Sequence, residues 1–129
     1  MDTTLALSST SLRRLAYGLL SIVLLGLIVY ELAANGGGWW QLAAFGLGPD
    51  LALLLGAGRG LARGQLHPRA VLLYNALHRF WGPLGLVVVA LAAGLPAGYL
   101  VGALAWALHI AVDRAVGYGL RTHDGFQRT

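Results

Sequence analysis

Residues 98–114 read GYLVGALAWALHIAVDR, and this stretch decides the fold class. It is apolar enough to enter a bilayer, yet it carries ionisable side chains close to its end. A charge in hydrocarbon costs roughly 2.5 to 3.5 kcal/mol on insertion scales, so such residues persist where they face protein. Small and polar residues share one helical face here, at Gly98, Gly102, Ala105, His109 and Asp113. The stretch therefore predicts a helix that points its polar stripe into a bundle.

Three more apolar segments accompany it. The predicted helices cover about 15–30, 39–55, 71–93 and 96–119, each near the roughly 17 to 25 residues that cross a bilayer. Hydrophobic residues make up 57% of the chain and charged residues 11%, against about 25% charged in globular proteins. The composition predicts an all-α protein, a four-helix transmembrane bundle forming a single domain over residues 1–129.

The arginines predict the orientation of this bundle. All nine positive residues are arginine, and those outside the apolar segments lie in the N-terminal segment, the loop 56–70 and the tail 120–129. Because short loops rich in arginine stay cytoplasmic, we expect both termini and the loop 56–70 on that side of a bacterial inner membrane. The alternative for the first segment is a signal peptide, but Leu32-Ala33-Ala34 is a poor cleavage site.

Charge and cysteine content limit the partners. The chain has no cysteine, which excludes disulfides and thiol ligands, and it has no basic run interleaved with aromatic residues as nucleic-acid binding would need. We expect the lipid bilayer as the main partner, with anionic head groups at Arg59, Arg63 and Arg69. The GxxxG pair Gly98 and Gly102 favours helix contact, either inside the chain or with a partner helix in a homo-oligomer.

Three ionisable residues lie at similar depths in the bilayer when their positions along the predicted helices are counted. At 1.5 Å per residue, Asp50 lies about 16 Å from the outer end of helix two and His109 about 18 Å down helix four. His78 lies about 12 Å up helix three from the inner end. The sequence therefore predicts that these side chains meet between the midplane and the cytoplasmic interface.

The preferred interpretation of this layer is a polar network without a cofactor. Asp50 and Asp113 carry two negative charges and Arg79 and Arg114 two positive ones, so the layer can neutralise itself by internal pairing. Asn75, His78 and His109 would then shape a pocket for a small ligand or a lipid head group. The function expected is that of an integral membrane protein with a structural or pocket-forming polar layer.

Two alternatives use the same residues. A metal centre for zinc, iron or manganese could be built from Asp50, His78, His109 and Asp113, because His109 and Asp113 at i and i+4 share a helical face. It would make the protein a metal-dependent membrane enzyme, although no HExxH motif is present. The other alternative is a proton relay in a transporter, since histidine beside aspartate can exchange protons.

Several motifs together resemble a known family. They are Gly48-Pro49-Asp50, Tyr74-Asn75-x-x-His78, Trp106-x-x-His109-x-x-x-Asp113-Arg114-x-x-Gly117-Tyr118-Gly119-Leu120, and Gly125-Phe126. The chain is similar to the domain of unknown function 4260 family of small bacterial integral membrane proteins. The resemblance implies four helices and a membrane location, but no activity. The family's motif residues that it carries over to this chain are Asp50, Asn75, His78, His109, Asp113 and Arg114.

Two positions depart from the family pattern. Tyr17 stands where the family's first helix is expected to carry a glutamate. After its Gly-Phe the family tail is expected to continue with Thr-His-Leu, where this sequence reads Gln127-Arg128-Thr129. Both departures weigh against catalysis by a metal.

Overall fold

A computed structural model describes residues 8–128, and the named elements in this part of the chain are all helical. The α-helices are α1 (Ser9–Asn35), α2 (Trp39–Leu47), α3 (Leu51–Leu55), α4 (Val71–Leu77), α5 (Trp81–Ala92) and α6 (Gly98–Ala115). Two 3₁₀ turns, Gly48–Asp50 and Pro68–Ala70, precede α3 and α4. The all-helical prediction is confirmed for residues 8–128.

The first helix is longer than the predicted 15–30. It begins where the Ser8 hydroxyl accepts a hydrogen bond from the Ser11 amide at 3.1 Å, as a serine N-cap should. It ends at Gly36, whose φ of 64° lies in the left-handed region that glycine adopts without strain. With 27 residues, α1 is long and apolar enough to cross a membrane.

Proline interrupts the second and third predicted helices. The segment 39–55 passes through the 3₁₀ turn at Pro49, so that Asp50 lies at a change of helix type. The segment 71–93 is divided in two between Leu77 and Trp81, where one continuous helix was predicted. Pro83 explains the division, because it has no N–H for the carbonyl of Arg79 and its ring crowds that carbonyl.

The last helix, α6, lies at the centre of the fold and contacts α1, α2 and α5. Val101, Ala105 and Ile110 are at most 2% exposed there. A methyl group on Gly102 would come within 2.6 Å of the Phe45 ring of α2, and one on Gly98 within 2.6 Å of Gln41. The sequence predicts a helix contact at Gly98 and Gly102, either within the chain or with a partner helix. In the structure, α2 fills the groove at these two glycines.

The tail after α6 folds back on the loop that precedes α4. The amide of Leu66 donates to the carbonyl of Gly125 at 2.9 Å, and the Arg121 guanidinium donates to the carbonyl of Gly64 at 3.0 Å. Gly125 has a φ of 99°, and any side chain there would collide with the backbone of Leu66. The tail is therefore held close against the loop 56–70.

Candidate metal centre

Four side chains from three segments of the chain converge on one point. Asp50 comes from the 3₁₀ turn after α2, His78 follows the end of α4, and His109 and Asp113 lie one turn apart on α6. One nitrogen or oxygen atom from each of the four lies within 4.8 Å of every other. The structure thus brings together all four residues of the alternative ligand set.

The five distances that join a histidine nitrogen to another member of the cluster are short and nearly equal. The Nε2 atom of His78 lies 3.3 Å from Asp50 Oδ1 and 3.4 Å from Asp113 Oδ2. The Nε2 atom of His109 lies 3.1 Å and 3.4 Å from the same two oxygens. The two Nε2 atoms are 3.3 Å apart. Both imidazoles therefore present the same nitrogen to a shared space.

Backbone carbonyls determine which nitrogen of each imidazole carries a hydrogen. His78 Nδ1 lies 2.8 Å from the carbonyl oxygen of Tyr74, and His109 Nδ1 lies 2.8 Å from that of Gly46. A carbonyl oxygen only accepts hydrogen bonds, so both Nδ1 atoms must donate. In the neutral imidazoles, each Nε2 then presents a lone pair to the cluster.

The helix break at Pro49 makes one of these carbonyls accessible. In an α-helix the carbonyl of Gly46 would bond the amide of Asp50, but a 3₁₀ turn bonds each amide to the carbonyl three residues back. The turn Gly48–Asp50 therefore releases the Gly46 carbonyl, which accepts from His109. A local backbone change thus orients a side chain that lies 63 positions further along the sequence.

The cluster contains acceptors but lacks donors when the histidines are neutral. Each nitrogen lone pair then faces the other nitrogen and both carboxylate oxygens at 3.1 to 3.4 Å. Four ligands around a tetrahedral ion with bonds of about 2.0 to 2.1 Å are separated by about 3.3 to 3.4 Å. The distances that involve the histidine nitrogens match this separation. The donor set of two imidazoles and two carboxylates suits zinc, iron or manganese.

The cluster is buried on one side and open on the other. The side chain of His78 is 3% exposed and that of His109 11%, whereas those of Asp113 and Asp50 are 24% and 47% exposed. The imidazoles therefore form the inner wall, and Asp50 lies at the mouth. Asp50 is therefore the most accessible of the four side chains.

The two arginines do not join this cluster. The Arg114 guanidinium donates to the hydroxyl of Tyr17 and to the carbonyl of His78, both at 3.1 Å. Within residues 8–128, Arg79 and Arg114 form no ion pair with Asp50 or Asp113, because the aspartates face the histidines instead. The expected pairing of arginine with aspartate is therefore absent from this part of the chain.

Arg114 nevertheless contributes to the cluster indirectly, through a hydrogen bond to the backbone of His78. The division between α4 and α5 leaves the His78 carbonyl without a helical partner, because the amide of Gly82 bonds the carbonyl of Arg79 instead. Arg114 satisfies that carbonyl, while its guanidinium carbon lies 5.1 Å from the centre of the Phe80 ring. It is a positioning residue for His78.

Asn75 lies outside the cluster as well. Its amide group donates to the Arg121 carbonyl at 2.9 Å, and its oxygen accepts from the Arg121 amide at 2.7 Å. Both polar ends of the side chain are thus used to hold the tail. The expected contribution of Asn75 to a pocket with the histidines is replaced by this structural role.

Sequence reasoning missed the residues that orient the imidazoles. Tyr74 supplies a carbonyl and also stacks on His78, with ring centres 3.9 Å apart and planes 16° from parallel. Gly46 contributes only its backbone. The i, i+4 spacing of Tyr74 and His78 could have predicted their contact on one helical face. The role of Gly46 could not have been predicted, because it contributes a backbone carbonyl and no side chain.

Comparison with known proteins gives the same family that the sequence motifs resemble. Searches of curated proteins and of solved structures gave no match. Residues 14–129 match the family described as Domain of unknown function (DUF4260). That match covers most of the chain, including all four residues of the cluster, and the protein therefore belongs to the DUF4260 family.

Proposed function

We propose that this protein holds a divalent transition-metal ion, with zinc, iron and manganese as the candidates, through Asp50, His78, His109 and Asp113. The observation that carries the proposal is the placement of the imidazole hydrogens. Both Nδ1 atoms donate to backbone carbonyls, so both Nε2 lone pairs and two carboxylate oxygens point at one space. A cation satisfies four such acceptors at once.

The surroundings of the ligands support this proposal. Metal-binding histidines usually donate their second ring nitrogen to a carbonyl or a carboxylate, which sets the tautomer and the ring orientation. Tyr74 and Gly46 provide such carbonyls, each at 2.8 Å. The half-exposed side of Asp50 leaves room for water or a substrate beside four protein ligands.

The same centre is proposed to lie in a membrane protein with four spans. The helix α1 presents Leu19, Ile22 and Val29 with 57%, 69% and 58% of their surface exposed. Large apolar side chains are also exposed on α2, α3, α5 and the beginning of α4. Soluble monomers rarely expose contiguous apolar patches larger than a few hundred Å². These surfaces favour contact with lipid. The arginines of the N-terminal segment, the loop 56–70 and the tail favour an orientation with both termini cytoplasmic, in a bacterial inner membrane.

The experiment is metal analysis of the full-length protein purified in detergent. After exposure to zinc, iron(II) or manganese(II) and removal of the excess ion, we expect about one metal ion per chain. The double variant His78→Ala/His109→Ala should retain none. The matched control is His123→Ala, a histidine that is 96% exposed and lies outside the cluster, and it should bind as the unmodified protein does.

A second variant separates loss of ligand from loss of fold. Asp50→Asn changes a half-exposed carboxylate into an amide of the same shape, so the helical circular dichroism should be unchanged while metal affinity falls. If none of the three metals binds stoichiometrically to the folded protein, the proposal is wrong. The cluster would then be a network in which a protonated histidine bridges the two aspartates, as the proton-relay alternative requires.

A further inference from the structure

Two adjoining cavities outside the metal cluster share Arg114 and Leu120 as lining residues. One is mostly apolar, has a volume of about 600 Å³ and lies between α5 and α6. The other has a volume of about 710 Å³ and lies between the start of α1 and the segment that follows α6. We call them the apolar cavity and the basic cavity.

The basic cavity carries a concentrated positive charge. Four arginines line it, namely Arg13, Arg14, Arg114 and Arg128, together with the hydroxyl-bearing Tyr17. Among the residues that the structure describes, no aspartate or glutamate lines this cavity. Guanidinium groups bind phosphate through paired hydrogen bonds, and several of them around one space favour a phosphate-bearing ligand.

Two of these arginines are held in place by the fold. Arg14 donates through Nε to the Ala115 carbonyl at 2.9 Å. Arg114 is held by Tyr17 and the His78 carbonyl, each at 3.1 Å. Because the Tyr17 oxygen accepts from Arg114, its own hydroxyl hydrogen is available to a ligand. Two of the four guanidinium groups of the cavity are therefore positioned before any ligand arrives.

The apolar cavity shares Arg114 and Leu120 with the basic cavity. Its walls include Phe80, Leu84, Val87, Leu104 and Ala107, and Arg79 joins Arg114 among its polar lining. The volume lies within the 300 to 1,000 Å³ typical of small-molecule sites. A ligand that fills both cavities needs a negative head and a hydrocarbon tail.

We infer that the two cavities together bind one anionic phospholipid, with its phosphate among Arg13, Arg14, Arg114 and Arg128 and one acyl chain between α5 and α6. The placement fits the proposed membrane topology, because Arg13 and Arg14 immediately precede the first apolar run and lie at the level of lipid head groups. This site is independent of the metal ion and does not rest on it.

Native mass spectrometry of the full-length protein in detergent tests the inference. With equal amounts of phosphatidylglycerol and phosphatidylcholine, one phosphatidylglycerol should remain bound, with an affinity about tenfold above that of phosphatidylcholine. The double variant Arg13→Gln/Arg128→Gln should lose this preference. The comparison variant Arg59→Gln/Arg63→Gln removes the same charge from the loop 56–70, where surface contacts with head groups are expected. Because that loop does not line either cavity, this variant should keep the single retained phosphatidylglycerol and its preference over phosphatidylcholine.

A second variant tests the acyl chain. Ala107→Phe adds bulk to the apolar cavity without changing charge, and it should reduce the retained phosphatidylglycerol by about tenfold. If Arg13→Gln/Arg128→Gln does not fold, Ala107→Phe alone still tests whether the cavities bind the lipid. Metal content should be unchanged in Ala107→Phe, which separates this site from the metal centre.

Three results would overturn the inference. The first is equal retention of the two lipids by the unmodified protein. The second is an equal loss of preference in both arginine double variants, which would indicate general surface charge. The third is displacement of the lipid by soluble glycerol phosphate at a concentration equal to that of the lipid, because the ligand would then be a free phosphate compound.

Discussion

The Nε2 atoms of His78 and His109 lie 3.3 Å apart, although the two residues are separated by 31 positions in the chain. Each imidazole is turned to this position by a backbone carbonyl on its other nitrogen. Two neutral imidazoles in this orientation place two lone pairs in contact, which is unfavourable unless a cation or a proton lies between them. This relationship is the reason for proposing a metal centre.

Asp113→Asn should weaken metal binding by at least about tenfold, because an amide oxygen replaces a charged carboxylate ligand. Metal at about one hundred times its Kd should stabilise the unmodified protein by about 2.7 kcal/mol. The increase in Tm on adding metal should therefore be at most about half as large in the variant. Asp124→Asn changes an exposed carboxylate outside the cluster, and it should leave that increase as it is. An equal increase in both variants would exclude Asp113 as a ligand.

Arg114→Gln should lower the free energy of unfolding by about 1 to 3 kcal/mol, because the carbonyl of His78 loses its hydrogen-bond donor. Tyr17→Phe removes only the acceptor of the second Arg114 bond and should have a smaller effect, about 0.5 to 1.5 kcal/mol. Thermal unfolding in detergent measures both. A larger effect of Tyr17→Phe would indicate that Arg114 does not position His78.

Asn75→Ala should release the tail, because it removes both hydrogen bonds to the backbone of Arg121. The expected loss of stability is about 1 to 3 kcal/mol, and limited proteolysis should cut faster within residues 117–128. Asn35→Ala, which removes two exposed hydrogen bonds to Glu31 alone, is the control. Unchanged proteolysis of the tail would contradict this role of Asn75.

Gly102→Ala should destabilise the contact between α6 and α2, by about 1 to 3 kcal/mol, because the added methyl group overlaps the Phe45 ring. Gly85→Ala is the matched control on α5, where the same methyl group meets no atom within 4 Å. It should be neutral or stabilising by up to about 1 kcal/mol, since alanine favours helix. A comparison of the two Tm values decides the point, and equal values would show that α2 does not pack closely on Gly102.

Some of the site could be predicted from local sequence. The depth of Asp50, His78 and His109 along apolar segments follows from counting residues, because the rise of an α-helix is constant. The i, i+4 spacing of His109 and Asp113 likewise places them on one face. These regularities do not depend on how the helices pack, and they anticipate the meeting of the four residues of the cluster.

The hydrogen-bond partners could not be predicted in the same way. Charge balance favoured pairs between Asp50, Asp113, Arg79 and Arg114, but Arg114 bonds a tyrosine hydroxyl and a carbonyl. The presence of opposite charges in a sequence does not determine how far apart the side chains lie or which way they point. The partner of Arg114 depends on the division between α4 and α5, which leaves the carbonyl of His78 free.

By itself, then, the sequence determined the helical class, the apolar segments and the approximate level of the ionisable side chains, because these follow from composition and helical period. Only the tertiary structure decided that the histidines face the aspartates, that Asn75 holds the tail and that Gly98 and Gly102 receive α2. The physical reason is that these contacts depend on backbone carbonyls and helix breaks, whose positions are set when the helices pack together.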